Sequence, residues 1–189
     1  MLKHNYFELI NTLASLACDS VIFACTDFSS KNKASHTDLR VQTDSILFSI
    51  ESALLVEFVP PLKRESISAY AHSLHHLADT AQTHMTISSA FGKMRKRTEE
   101  EKLCAELATK IKENTALLKN IKKSSTTPDI QSFRDLMLLA VDAHSSDLAR
   151  LTSGYLPKSY SQIVNSAGAL RAELSITFNS LIDLILSNI

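Results

Sequence analysis

The sequence predicts an all-α protein of six long antiparallel helices, built as two successive three-helix bundles. Three observations predict it. Only three glycines and four prolines occur in 189 residues, and nearly all of them fall in short polar gaps, where they punctuate. Between the gaps, apolar residues recur three and four apart over stretches of about 24 residues, near 36 Å of helix each. The gaps are short enough that helices adjacent in sequence must run antiparallel.

Helix one is predicted from about Asn5 to Phe28, with Phe7, Ile10, Leu13, Ala14, Ala17, Val21 and Ala24 on one stripe. The polar segment Ser29 to Lys33 ends it. Helix two runs from about Ser35 to Phe58 and stops at Pro60 and Pro61, which lack the N–H that a continuing helix needs. Pro61 can open helix three, expected from there to about Ile87.

Gly92 divides helix three from helix four, so the two units are expected at 1–92 and 93–189, together one compact domain. Thr98 can cap helix four, with Glu99, Glu100 and Glu101 in the first turn, where negative charge suits the helix dipole. That helix is expected to end in Lys119 to Lys123. Pro128 opens helix five, which runs to about Ser153. Gly154 and Pro157 separate it from helix six, ending near Leu186. Pro61 precedes Ile67 and Leu74 at the same intervals at which Pro157 precedes Ile163 and Leu170, the trace of a weak internal duplication.

Composition narrows the function. Lys plus Arg and Asp plus Glu number 20 each, so no overall charge draws the chain to nucleic acid or to an anionic membrane. The basic run Lys93, Arg95, Lys96 and Arg97 faces Glu99 to Glu101, and Lys119, Lys122 and Lys123 suit a helix C-terminus. Trp is absent and no helix carries a one-sided basic face, so a nucleic-acid partner is not expected. Three scattered cysteines, Cys18, Cys25 and Cys104, fit a reducing cytoplasm and read as small core residues. Glu8 and Asp19 interrupt the first apolar stretch, so neither an export signal nor a membrane span is expected, and membrane association is at most peripheral.

No Gly-rich phosphate loop and no Gly-x-Ser-x-Gly, Cys-x-x-Cys or His-Glu-x-x-His occurs. Asp142, His144 and Ser145 splay around their helix and cannot act together. The expectation is a non-enzymatic regulatory or binding protein.

Helix three carries the densest constellation. At about 100° per residue, Glu65, Ser68, His72, His75, His76 and Asp79 share one arc, opposite Ile67, Tyr70, Leu74 and Leu77. His72 with His76, and His75 with Asp79, stand four apart, a spacing that lets adjacent turns reach one ion. Imidazole with carboxylate favours a transition metal such as Zn or Fe over Mg or Ca. Two readings stay open, a His-rich solvated face and a metal site to which Asp44 of helix two adds a ligand if it turns towards helix three.

The stretch Phe58-Val59-Pro60-Pro61-Leu62-Lys63-Arg64-Glu65-Ser66-Ile67, followed by Leu74-His75-His76-Leu77-Ala78-Asp79, resembles the junction of helices two and three in the PhoU-like family. The short members associated with Pit-type phosphate permeases read Phe-x-x-Pro-x-Asp-Arg-Glu-Asp-Ile and then Leu-Asp-Asp-x-x-Asp. Phe58, Pro61, Arg64 and Glu65 keep that frame. The resemblance implies a six-helix bundle and a cytoplasmic accessory protein of inorganic phosphate transport that docks on a transporter or another protein, with homo-oligomers open.

It also implies two acidic clusters holding multinuclear metal on the bundle surface. Here Lys63, Ser66, His75 and His76 stand where the family is acidic, Asp79 keeps its carboxylate, and Arg40-x-x-x-Asp44 replaces Glu-x-x-x-Asp. In the second half Arg171, Ala172 and Ser175 take such places, and helix five keeps Asp142, His144 and Asp147 off the required spacing. The metal site is therefore expected to be degenerate, with no acidic cluster in the second half. The alternative is a helical adaptor or oligomeric scaffold that kept the fold and lost the metal.

Overall fold

The computed structural model describes residues 5–26, 33–57, 60, 62–91, 97–120 and 129–187. It contains six long α-helices, and no strand occurs among the described residues. They are α1 (Tyr6–Thr26), α2 (Lys33–Val56), α3 (Arg64–Ser89), α4 (Glu99–Ala116), α5 (Ile130–Thr152) and α6 (Ser161–Leu186). Phe58, Pro61, Gly92, Lys93, Arg95, Lys96, Lys122, Lys123 and Pro128, all singled out in the sequence, lie outside the described residues.

Local chemistry sets the helix ends. α3 starts at Arg64, later than Pro61, because the chain first buries Leu62, only 3% exposed. The Arg64 guanidinium turns back to donate to the carbonyls of Leu54 and Glu57 at the end of α2, satisfying acceptors that the helix itself leaves unpaired. Thr98 caps α4 as expected, in a reciprocal box: its hydroxyl accepts from Glu101 N at 3.2 Å while Glu101 Oε2 accepts from Thr98 N at 2.8 Å. α4 tightens into a 3-10 turn over Leu117–Asn120. Asp129 caps α5, and Gly154 turns the chain after it with φ 79°, where a side chain would be strained.

α3 packs most extensively on α6, and α1 on α4 and α3, so these four helices share one continuous core. α2 lies outside against α1 and α3, and α5 outside against α4 and α6. The inner stripes follow the predicted period: Ile10, Leu13, Val21, Ile67, Tyr70, Leu74 and Leu77 are fully buried. Tyr6, and not the half-buried Phe7, fills the first core position of α1. Cys18, Cys25 and Cys104 are buried thiols. α1 is long and apolar enough to cross a membrane, but its Ile10 to Cys25 stripe is spent on the bundle core.

Candidate functional site

Two regions gather ionisable side chains. The first is a row along the seam of α2 and α3. His72 Nε2 lies 2.7 Å from Glu51 Oε1, and His75 Nε2 lies 2.6 Å from Asp44 Oδ1. Arg40 Nε stands 3.3 Å from Asp79 Oδ1, and His75 Nδ1 is 3.8 Å from Asp79 Oδ2. His76 is exposed, with its ring edge-on to His75 at 6.1 Å.

The arc on α3 therefore faces a neighbouring helix. The 3.6-residue period places the polar face of α3 correctly, but α2 lies along it, and the His75 side chain is only 19% exposed. Asp44 does turn towards α3. An ionised carboxylate can only accept, so His75 spends its Nε2–H on Asp44, while His72 Nε2 faces Glu51. His72 and His75 thus point at different partners, and Arg40 supplies the positive charge beside Asp79.

These residues do not fit the multinuclear metal that the resemblance implies. Among the described residues no three His, Cys, Asp or Glu side chains are set to hold one ion. His72, His75, Asp79 and Asp44 form an ion-paired row with Glu51 and Arg40, because the α2 carboxylates intercept the imidazoles before they converge, and His76 stands exposed beside it.

The second region is buried around the first turn of α4. Glu100 and Glu101 are both fully buried. Glu100 accepts from His144 Nδ1 at 2.8 Å and from Arg171 Nε at 3.0 Å, joining α4 to α5 and α6. Glu101 Oε1 accepts from His84 Nε2 at 2.8 Å, and His84 Nδ1 lies 2.8 Å from Ser166 Oγ, joining α4 to α3 and α6. Burial pushes the Glu100 carboxyl upward, with His144 and Arg171 drawing it part of the way back. Gly168 of α6 makes room for this arrangement, since a Cβ there would come within 2.6 Å of His144 Cε1.

Ser166, His84 and Glu101 are spaced as a nucleophile, base and orienter would be, and His84 and Ser166 border a 460 Å³ groove between α3 and α6. Ser166 sits inside α6, however, where backbone N–H groups are bonded within the helix and none is free to hold an oxyanion. The three side chains tie the halves together.

Sequence reasoning placed Glu100 and Glu101 in the first turn of helix four, facing the helix dipole and the basic run before it. They turn inward because His84, His144 and Arg171 come to meet them from three other helices. A glycine inside a helical run costs about 1 kcal/mol against alanine, and Gly168 was the signal that something packs closely there.

The outer helices expose large apolar side chains. On α2 these are Val41, Phe48, Leu55 and Val56, from 62% to 83% exposed, and on α5 Leu138 and Leu139 are the most exposed.

No protein-family model matches the sequence, and no curated protein matches it. Solved structures do. A PhoU-like phosphate regulatory protein from Shewanella oneidensis MR-1 superposes with a TM-score of 0.68 at 12% identity, over 96% of this chain and 94% of that one. A PhoU-like protein from the same organism superposes with a TM-score of 0.60 at 13% identity, over 97% of each chain. The chain has the PhoU-like fold.

Proposed function

We propose that the chain is a cytoplasmic, non-enzymatic regulator of inorganic phosphate transport, which acts by docking its outer helices on a transporter. The observation that carries this reading is the PhoU-like fold over 96% of the chain, shared with a protein described as a phosphate regulatory protein. The junction around Arg64 and Glu65 adds to it. The exposed apolar row Val41, Phe48 and Leu55 on α2 supports the mode of action, because large apolar residues at seven-residue spacing suit a helical partner.

In this reading the seam between α2 and α3 is a degenerate metal site, its ion replaced by Arg40 and by imidazole–carboxylate pairs. The same pairs favour the second reading, an adaptor or oligomeric scaffold that kept the fold after losing the metal. Radiolabelled phosphate uptake separates the two. Deleting the gene should change uptake in phosphate-replete cells, the wild-type gene should restore it, and the double variant Phe48→Glu, Leu55→Glu should not. Uptake unaffected by the deletion would reject the phosphate reading and leave the scaffold.

A further inference from the structure

The two outer helices are fixed differently at their C-terminal ends. In α2, Ile46, Leu47, Ile50, Ala53 and Leu54 all join the apolar core. In α5 the core residues lie in the N-terminal half, where Phe133 stacks on Phe178 of α6 at 3.6 Å, and the last of them is Ala143. From residue 144 to residue 156 no side chain joins that core. The contacts there are polar. His144 reaches Glu100 across the space that Gly168 leaves open. Asp147 is 4% exposed, but its Oδ1 faces Arg150 of its own helix and its Oδ2 has no hydrogen-bond partner, so its burial makes no bond to another described helix. A cleft of about 390 Å³ lies between this stretch and α4, with Leu103 on one side and Ala143 and Ser146 on the other. At the far end Gly154 turns the chain at φ 79°, with open space where a side chain would stand.

These features act in one direction. The cleft removes dispersion contacts that a close-packed helix would have. A buried carboxylate oxygen with no donor costs free energy that water would return. Burial pushes the Asp147 carboxyl upward against the pull of Arg150, so the packed form resists the ionised state that the open form allows. Against this stands one bond from His144 to Glu100. The helical part of the stretch is about two and a half turns, too short to stay helical in water without packing, so its release from α4 also unwinds it.

We propose that residues 144–156 form a strap that opens from α4 and α6 while the rest of the bundle stays closed, with His144 as its latch on Glu100. Opening carries the carboxylates of Glu100 and Asp147 into water. It also changes what α5 offers a partner. Leu138, Val141 and Leu148 fall within one arc of the helix and are all exposed, so the closed strap completes an apolar face that the open strap breaks after Val141. A partner seated on that whole face would hold the strap shut. The strap does not depend on the chain being a phosphate regulator.

The test is native-state hydrogen exchange of the 15N-labelled full chain at neutral pH, without and with low denaturant. Amides 145–150 are compared with amides 49–54, which stand equally far from the end of α2 and so fray alike, and with amides 170–181 of α6. Amides 145–150 should exchange about tenfold or more faster than both sets, with a weak denaturant dependence that marks a local opening. His144→Ala should speed 145–150 about tenfold further and leave 170–181 slow. Asp147→Leu, which replaces the unpaired charge at similar volume, should slow 145–150. The proposal is overturned if 145–150 exchange no faster than 49–54, if His144→Ala speeds α6 as much as α5, or if Asp147→Leu speeds the opening.

Discussion

The seam of α2 and α3 and the first turn of α4 use the same chemical alphabet, carboxylate, imidazole and guanidinium, yet they differ in burial. In the seam, Arg40, Asp44, Glu51 and His72 keep about half of their side-chain surface in water. Around α4, Glu100, Glu101 and His84 keep none. Water screens and replaces the contacts of the first region, while nothing replaces those of the second. Residue type alone therefore says little about what such a cluster does for the molecule.

The comparison breaks most visibly at Glu101. Glu101→Ala removes the partner of a fully buried imidazole together with the α4 capping box, and should cost about 3–5 kcal/mol, on the order of ten degrees in thermal midpoint for a chain of this size. A shift of only a few degrees would mean that the buried cluster is no tighter than the surface row.

Gly168→Ala is the next largest. The added methyl meets the His144 ring, and turning that ring away weakens its bond to Glu100, a cost of about 1–3 kcal/mol, partly offset by about 1 kcal/mol of helix propensity. With His144→Ala already in place, the same change should stabilise the protein. Denaturant midpoints for the four combinations would show this reversal, and equal effects in both backgrounds would deny the close approach its role.

The buried carboxylate also gives a pH signature. Glu100 titrates above its ordinary value of 4.5 in the folded protein, so the folded state holds a proton that the unfolded chain has released. Its contribution to stability is fully present below the ordinary value and is lost as pH rises through the raised one. Glu100→Gln should therefore cost more near about pH 4 than near about pH 7. A stability difference that is flat across this range, or that grows towards neutral pH, would contradict the burial argument.

The smallest effects belong to the seam. Arg40→Ala and His72→Ala should each cost less than about 1 kcal/mol, as exposed pairs do, and added salt should shrink the difference further. Denaturation at low and at high salt would check both, and a loss comparable to that of Glu101→Ala would erase the distinction between the regions.

Much of the fold was legible because helices advertise their buried stripes. Ile67, Tyr70, Leu74 and Leu77 recur at helical spacing, and Thr98 with Glu101 spells a capping box. The site was legible in part. Helical period placed His72, His75 and Asp79 on one face, but it cannot say what stands opposite, so whether Asp44 of α2 turns towards them stayed open. The inward turn of Glu100 and Glu101 was not legible for a related reason, since their partners come from distant parts of the chain. Long-range pairing of this kind leaves no local periodicity to read.

The central claim is that His72, His75, His84 and His144 are partnered by carboxylates of neighbouring helices, with Arg40 beside Asp79 and Arg171 on Glu100, in place of a shared ion. Elemental analysis of tag-free protein, wild type beside the triple variant His72→Ala, His75→Ala, His76→Ala, tests it most directly. The account predicts substoichiometric metal in both, and no rise in the wild-type thermal midpoint when zinc is added. One or more ions per chain in the wild type, lost in the triple variant, would contradict it.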